Sequence, residues 1–349
     1  MQHRVPKRTA AAAALLIAAL PGHGVINARA ATRLTPLSIE PGTVTVSGLS
    51  SGGAMAVQFH ASHSTLVQGA GVLAAGPYLC AEGSVAVALG RCMKGGEPIP
   101  TAQLLQQADR LAQDGAIDPV AGMTGDRVWL YRGTQDPYVH LSVADALEGY
   151  YRARVGVASV VRIEHEGGGH NFPTERDDAL PCSSSELPGI ANCGLNGARR
   201  LLEHLYGPLA PGAAADRLGS LVQFDQRPYA AMAGSETLGD YGWLYVPAAC
   251  TGPEAKACRL HVVFHGCQQG ASQVGDAFVR RTGYLEVAES NRIVALFSQV
   301  KPTAQPLNPL GCWDWWGYEG EKYGTRTAPQ ISAVKWMVDD LMGASRPAP

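Results

Sequence analysis

Between residues 43 and 299, short apolar runs of strand character alternate with stretches of helical periodicity. Few folds are open to a chain with that alternation. "TVTVSGL", "GAGVLAAGP", "RVWLYRG", "SVVRIEHE", "YGWLYVPA", "RLHVVFHG" and "NRIVALFSQ" read as strands. Between them "SGGAMAVQFHAS", residues 101–115, "LSVADALEGYYRARVG", "LNGARRLLEHLYG" and a run from about Ala271 to Ser290 read as helices. The expected fold is α/β: one central, mostly parallel sheet with helices on both faces.

Composition narrows the class. The 349 residues are 46% hydrophobic, enough for a sizeable core, and the net charge of -2 gives no electrostatic case for a nucleic-acid partner. Arg4, Lys7 and Arg8, the apolar "TAAAAALLIAAL" and the small-x-small "ARA" at 28–30 form a Sec-type export leader. Residues 1–30 are therefore read as a signal peptide, with a mature chain from Ala31 that is secreted or periplasmic. No membrane contact is expected after cleavage, and the mature protein is expected to be a monomer. Eight cysteines suit an oxidising compartment, although eight allow 105 pairings. The cheapest loops pair Cys80 with Cys92, Cys182 with Cys193 and Cys250 with Cys258. Cys267 and Cys312 remain, and a bridge between them would tie two distant segments together.

"GLSSG", residues 48–52, is a G-x-S-x-G motif between a predicted strand and a predicted helix. A serine on so sharp a turn needs small residues two positions to either side. Ser50 has glycine at both and is the candidate nucleophile; Ser51 has Leu49 on one side. The amide of Ser51 would open the helix as an oxyanion donor. A serine hydroxyl needs a histidine base and an acid to orient it. Two successive strands supply them in that order. "RVWLYRG" runs into "TQDPYVH" with Asp136, and "SVVRIEHE" runs into "GGGHNFP" with His170, which the three glycines at 167–169 would let swing in from a flexible loop. Asp126 precedes its strand and would lie at the wrong edge. Asp177 and Asp178 follow the histidine, and His165 is still inside its strand. "HEGGGH" is not a zinc helix, because its spacing is one too long and its glycines would break a helix. No metal or cofactor is called for.

"RLHVVFHGCQQG" ends a strand in His-Gly, as does the loop that gives hydrolases a second oxyanion amide, here that of Cys267. It comes far after the histidine instead of before the serine. One sheet holding both would be circularly permuted, so residues 31–349 are read as a single catalytic domain and the Ala/Gly/Pro-rich stretch 208–220 as no boundary. "GCWDWWGYEG" sets Trp313, Trp315 and Trp316 beside Cys312, an aromatic surface suited to an apolar or polymeric substrate.

Taken together, "SGLSSGG", "GPYLCA", "RGTQDPYV", "GGGHNFPT", "HVVFHGCQQ" and "GCWDWWGY" resemble the type 2 catalytic domain of the extracellular short-chain-length poly(3-hydroxyalkanoate) depolymerases. The resemblance implies a circularly permuted α/β-hydrolase and a serine esterase that cleaves hydroxyalkanoate polyester or its oligomers. It also implies Ser50, Asp136 and His170 as triad, the amides of Ser51 and Cys267 as oxyanion hole, and Trp313 in the substrate cleft. Secreted members often carry a linker and a polymer-binding module; none is expected here, which speaks against binding crystalline polymer granules and leaves amorphous polymer, soluble oligomers or a different ester open. A carboxylesterase or feruloyl esterase for non-polymeric esters is the alternative, and a catalytically dead polyester- or glycan-binding protein is a more distant one.

Overall fold

The computed structural model describes residues 33–344. The leader and its cleavage site lie outside the described residues. Eight strands form the central sheet: β1 (Ile39–Leu49), β2 (Val67–Leu73), β3 (Arg127–Gly133), β4 (Val160–His165), β8 (Ser220–Asp225), β9 (Tyr241–Val246), β10 (Cys258–Phe264) and β11 (Ile293–Ser298). Between β4 and β8, the short β5 (Phe172–Thr174), β6 (Leu180–Pro181) and β7 (Ile190–Asn192) make a separate small sheet.

The order across the large sheet is β4-β3-β2-β1-β10-β11-β9-β8. The six strands from β4 to β11 run parallel; β9 and β8 are antiparallel at one edge. The late strand β10 therefore lies directly beside the first strand, with Gly48 opposite Phe264. The permuted order expected from the sequence is the order of the sheet. As in parallel sheets covered on both faces, β2, β10 and β11 are buried almost throughout, and β1 is buried from Val44 onward.

Each face has its own core. Val44, Val46, Val262 and Phe264 pack with Met55 and Phe59 of helix Ser51–Ser62 and with Val334 and Met337 of helix Pro329–Met342. Leu49, Leu73, Trp129 and Val263 pack on the opposite side with Leu201 and Leu205 of helix Gly197–Tyr206 and with Leu285 and Val287 of helix Tyr284–Asn291. The helical run expected from Ala271 is broken into Ala271–Val274, Ala277–Arg281 and Tyr284–Asn291. Gly275 and Gly283 sit at the breaks with φ of 62° and 86°, which helices do not accommodate.

The β1–β10 pair also buries polar side chains, and they form one chain. Tyr284 Oη and His261 Nε2 lie 2.6 and 2.7 Å from Ser47 Oγ. His261 Nδ1 lies 2.7 Å from Thr45 Oγ1, which donates to Tyr206 Oη at 2.6 Å, and Tyr206 Oη donates to the Leu260 carbonyl at 3.0 Å. One direction satisfies every donor: Tyr284 to Ser47 to His261 Nε2, then His261 Nδ1–H to Thr45 to Tyr206. It requires a neutral imidazole, and burial lowers the His261 pKa to about 3.

All four bridges are formed: Cys80–Cys92, Cys182–Cys193, Cys250–Cys258 and Cys267–Cys312. No described cysteine is free.

Burial holds two further histidines neutral. It lowers His265 to about 4, and with the nearby Lys335 it lowers His63 to about 3. Unfolding returns each to an ordinary value of about 6.5. Below that pH the unfolded chain binds more protons than the folded one, so stability is full above it and declines as pH falls towards about 4. Urea unfolding between pH 6 and 4.5 should show this decline. His63→Gln should reduce its slope by one proton, about 1.4 kcal/mol per pH unit. An unchanged slope would mean that His63 titrates in the folded protein.

Candidate active site

β1 ends at Leu49 and the next helix begins at Ser51, so the whole turn falls on Ser50. Its φ of 58° and ψ of -121° lie in a region that side-chain-bearing residues avoid. Its amide donates to the Leu73 carbonyl and its carbonyl accepts from the Ala54 amide, both at 2.9 Å. The turn closes only because its neighbours lack side chains. A Cβ on Gly48 would stand 2.2 Å from the Gly52 carbonyl oxygen; one on Gly52 would stand 2.3 Å from that of Phe264. The second contact shows how closely the turn sits on β10.

Asp136 and His170 meet. Asp136 Oδ2 lies 2.8 Å from His170 Nδ1, while Oδ1 accepts the amides of Tyr138 (2.8 Å) and Val139 (3.0 Å). The carboxylate is fully buried and the imidazole 13% exposed. Burial alone would raise the Asp136 pKa, but the His170 hydrogen bond and charge with the two amides outweigh it and hold the group below its ordinary value. An ionised carboxylate only accepts, so His170 Nδ1 carries the proton and Nε2 is left to exchange one.

Two of the glycines before His170 are closely packed: a Cβ on Gly168 would lie 3.1 Å from Gly133 Cα and one on Gly169 2.6 Å from the Ser183 carbonyl oxygen, while Gly167 takes a φ of 73° in open space. A Cβ on Gly133 would lie 2.2 Å from the Gly168 carbonyl oxygen. The two loops are laced together by Thr134 N to His165 O (2.9 Å), Gln135 N to Gly168 O (2.8 Å) and Gly167 N to Thr134 Oγ1 (2.9 Å). The histidine segment is fastened from beyond as well, by Gly169 N to Cys182 O and His170 N to Ser185 Oγ, both 2.8 Å.

Sheet order places Ser50, Asp136 and His170 beyond the carboxyl ends of β1, β3 and β4, at one rim. Neighbouring strands are about 4.8 Å apart, so the acid–histidine pair must reach across β2 to the serine. The Ser50 hydroxyl itself has no hydrogen-bond partner among the described residues. Such bonds are often long without substrate and tighten in the complex.

The loop expected to carry the second oxyanion donor follows β10. His265 Nε2 accepts the Val300 amide at 3.2 Å, and its Nδ1–H donates to the Gly266 carbonyl at 2.7 Å. In a trans peptide the N–H points away from the C=O, so holding the Gly266 carbonyl on one side aims the Cys267 amide to the other. Cys267 is bridged to Cys312, and Gln268 donates from its backbone to Leu310 O at 2.7 Å. Neither the Ser51 nor the Cys267 amide has a protein acceptor among the described residues. Ser51 Oγ accepts the Trp313 amide at 3.3 Å, which draws the tryptophan loop under the same rim.

The tryptophans separate. Trp313 is fully buried, its ring edge-on to Phe264 at 4.9 Å, so it fills the core and presents no face to a substrate, contrary to the sequence reading. Trp315 and Trp316 are partly exposed and stacked edge to face at 5.6 Å. Asp314 holds their turn by accepting the amides of Gly317 (2.7 Å), Tyr318 and Glu319 (both 3.0 Å).

The competing residues are engaged elsewhere. Asp126 accepts from buried His60 at 3.0 Å, at the opposite end of β3. Asp178 is exposed and paired with Arg176 and Arg281. His165 lies near Cys182 and Cys193, but their sulfurs are joined to each other and are not free thiolates for a metal. Tyr138, Ser185, Gln269 and Asp314 belong to the site without having been singled out. Tyr138 stands edge-on to the His170 ring at 5.1 Å. Gln269 lay inside a quoted motif, but its partners are far away in sequence.

No family model matches the chain. It is 42% identical over 318 residues to the poly(3-hydroxybutyrate) depolymerase of Delftia acidovorans, covering 90% of this chain and 63% of that one. It is 33% identical over 333 residues to the polyhydroxybutyrate depolymerase of Talaromyces funiculosus, covering 90% of this chain and 95% of that one. The crystal structure of PHB depolymerase from Penicillium funiculosum superposes with a TM-score of 0.82 at 30% identity, covering 90% of this chain and all of that one. A variant PHB depolymerase complexed with an R3HB trimer superposes equally well at 29% identity. With the Talaromyces match running through nearly the whole of both chains, and the same sheet beneath it, the chain belongs to the poly(3-hydroxybutyrate) depolymerase family.

Proposed function

We propose that this chain is an exported serine esterase that hydrolyses short-chain hydroxyalkanoate polyester or its oligomers. One observation carries the reading most: a buried carboxylate orients His170 at the rim where Ser50 is held in strained backbone. Strain of this kind costs about 1–3 kcal/mol and persists where the fold holds a side chain forward for use.

His170 Nε2 takes the proton from Ser50 Oγ as the oxygen attacks the ester carbonyl carbon. Asp136 steadies the imidazolium, and the free amides of Ser51 and Cys267 donate to the oxyanion. Collapse breaks the ester C–O bond, and His170 returns the proton to the departing hydroxyl end. Water, deprotonated by His170, then attacks the acyl-serine; the C–Oγ bond breaks, His170 returns the proton to Ser50 Oγ, and the carboxylic acid leaves.

The substrate class rests on the relatives. One is named for poly(3-hydroxybutyrate) and another for polyhydroxybutyrate, and a third was solved with an R3HB trimer. The surroundings suit an apolar chain: Tyr138, Leu187 and Leu310 are 43%, 48% and 46% exposed near the site, and Trp315 and Trp316 add aromatic surface. The leader carries the proposal of export, and no helix among the described residues is long and apolar enough to cross a membrane.

The test is product release from amorphous poly(3-hydroxybutyrate). Wild type should free 3-hydroxybutyrate or its short oligomers. Ser50→Ala should keep the native circular dichroism and lose at least about a thousandfold in rate. Asp136→Asn should lose about four orders of magnitude in kcat. Substantial activity in Ser50→Ala would overturn the mechanism, and cleavage of short p-nitrophenyl esters alone would move the substrate to small esters. The strain makes a separate prediction: Ser50→Gly, equally inactive, should be about 1 kcal/mol more stable than Ser50→Ala by urea unfolding, because glycine adopts this backbone freely.

A further inference from the structure

We propose that Gln269 is a positioning residue that sets the distance between the oxyanion loop and His170. The proposal deepens the esterase reading above and rests on it.

Gln269 is 3% exposed and uses both ends of its amide. Its Oε1 accepts the Gly266 amide at 2.7 Å, on the loop that aims the Cys267 N–H. Its Nε2 donates to the Pro188 carbonyl at 2.8 Å and lies 3.4 Å from that of Gly189. The amide packs directly on both glycines: a Cβ on Gly266 would be 2.7 Å from Oε1, and one on Gly189 would be 2.5 Å from Nε2.

The segment at its far end is the one that carries His170. Gly189 O accepts the Phe172 amide at 2.8 Å, Ser185 Oγ accepts that of His170, and Cys182 O accepts that of Gly169. The Asn171 side chain donates to Cys182 O and Ser184 O at 2.7 and 2.8 Å. Residues 182–189 thus form an arm that grips the backbone on both sides of the histidine, with the Cys182–Cys193 bridge at its root. Gln269 joins that arm to the donor loop. A shift along this strut would move the proton acceptor relative to the oxyanion donor, and a misplacement of about 1 Å can lower a rate about a hundredfold.

A structural support and a positioning strut respond differently to Gln269→Glu. A carboxylate still accepts from Gly266 but meets the Pro188 and Gly189 carbonyls without a proton; a protonated carboxyl donates to them again. The measurement is kcat and KM on the soluble ester p-nitrophenyl butyrate for wild type, Gln269→Ala and Gln269→Glu, with the pH profile of each and the melting temperature. Gln269→Ala should lose about 10- to 100-fold in kcat with KM within about threefold. Gln269→Glu should lose as much at pH 8, and its kcat relative to wild type should rise at least about tenfold towards pH 5.5. His265 on the same loop, Glu186 on the arm and His170 beside it are present in both proteins, so the ratio isolates the new carboxyl. A Gln269→Ala kcat within twofold of wild type, or a flat ratio, would overturn the proposal. So would a Gln269→Glu that fails to fold, since the strut would then support the fold and not the site. Failure of the esterase reading is separate, because wild type would then neither cleave the ester nor be labelled at Ser50 by a fluorophosphonate.

Discussion

The parallel pairing of β1 with β10 is the contact on which the site depends. It joins segments 216 residues apart at Thr45 and His261, and it sets the serine turn against the donor loop at the level of single backbone atoms. Its interior is not purely apolar. Thr45, Ser47 and His261 are buried there, and each unpaired polar group would cost about 1–3 kcal/mol. The chain from Tyr284 to Tyr206 satisfies them only with the two strands in this register. A slip by one residue would break every member at once, so the polar groups specify the alignment that the apolar ones merely tolerate.

That alignment is what lets Ser50 remain strained. Gly48, Gly52 and the Phe264 carbonyl fill the space into which the turn could relax. His265, buried and neutral, fixes the peptide that follows. Neither device contributes a reacting atom. On the proposed mechanism both remove alternatives, holding the Ser50 hydroxyl and the Ser51 and Cys267 amides ready before any substrate arrives.

Legibility in the sequence followed the range of the signal. The helix at Ser51–Ser62 and strand β3 fall where local periodicity puts them, because both are decided by residues within a turn or two. Asp136 and His170 could be found because strand ends, chain order and a motif coincide. β8, the small sheet and helix Pro329–Met342 carried weaker patterns; β8 is an edge strand with half its residues partly exposed. Trp313 was misread because tryptophan serves a core and a surface equally well, and only its packing on Phe264 decides. Gln269 and Ser185 were out of reach because their partners are backbone groups, and a carbonyl has no letter in the sequence.

The same limit explains where the crosslinks lie. Three of the four bridges brace loops beyond the carboxyl ends of the parallel strands: Cys80–Cys92 after β2, Cys182–Cys193 behind His170 and Cys267–Cys312 at the Cys267 amide. Phe172 and Trp313 anchor the last two of these segments in the core, and the stretches between are held by backbone-to-backbone lacing, close glycine contacts and a covalent tie. A disulfide restrains a loop without occupying the space a substrate needs, and it does so more firmly than a surface hydrogen bond worth about 1 kcal/mol. An oxidising compartment is therefore a condition of these loops' geometry, in agreement with the proposed export.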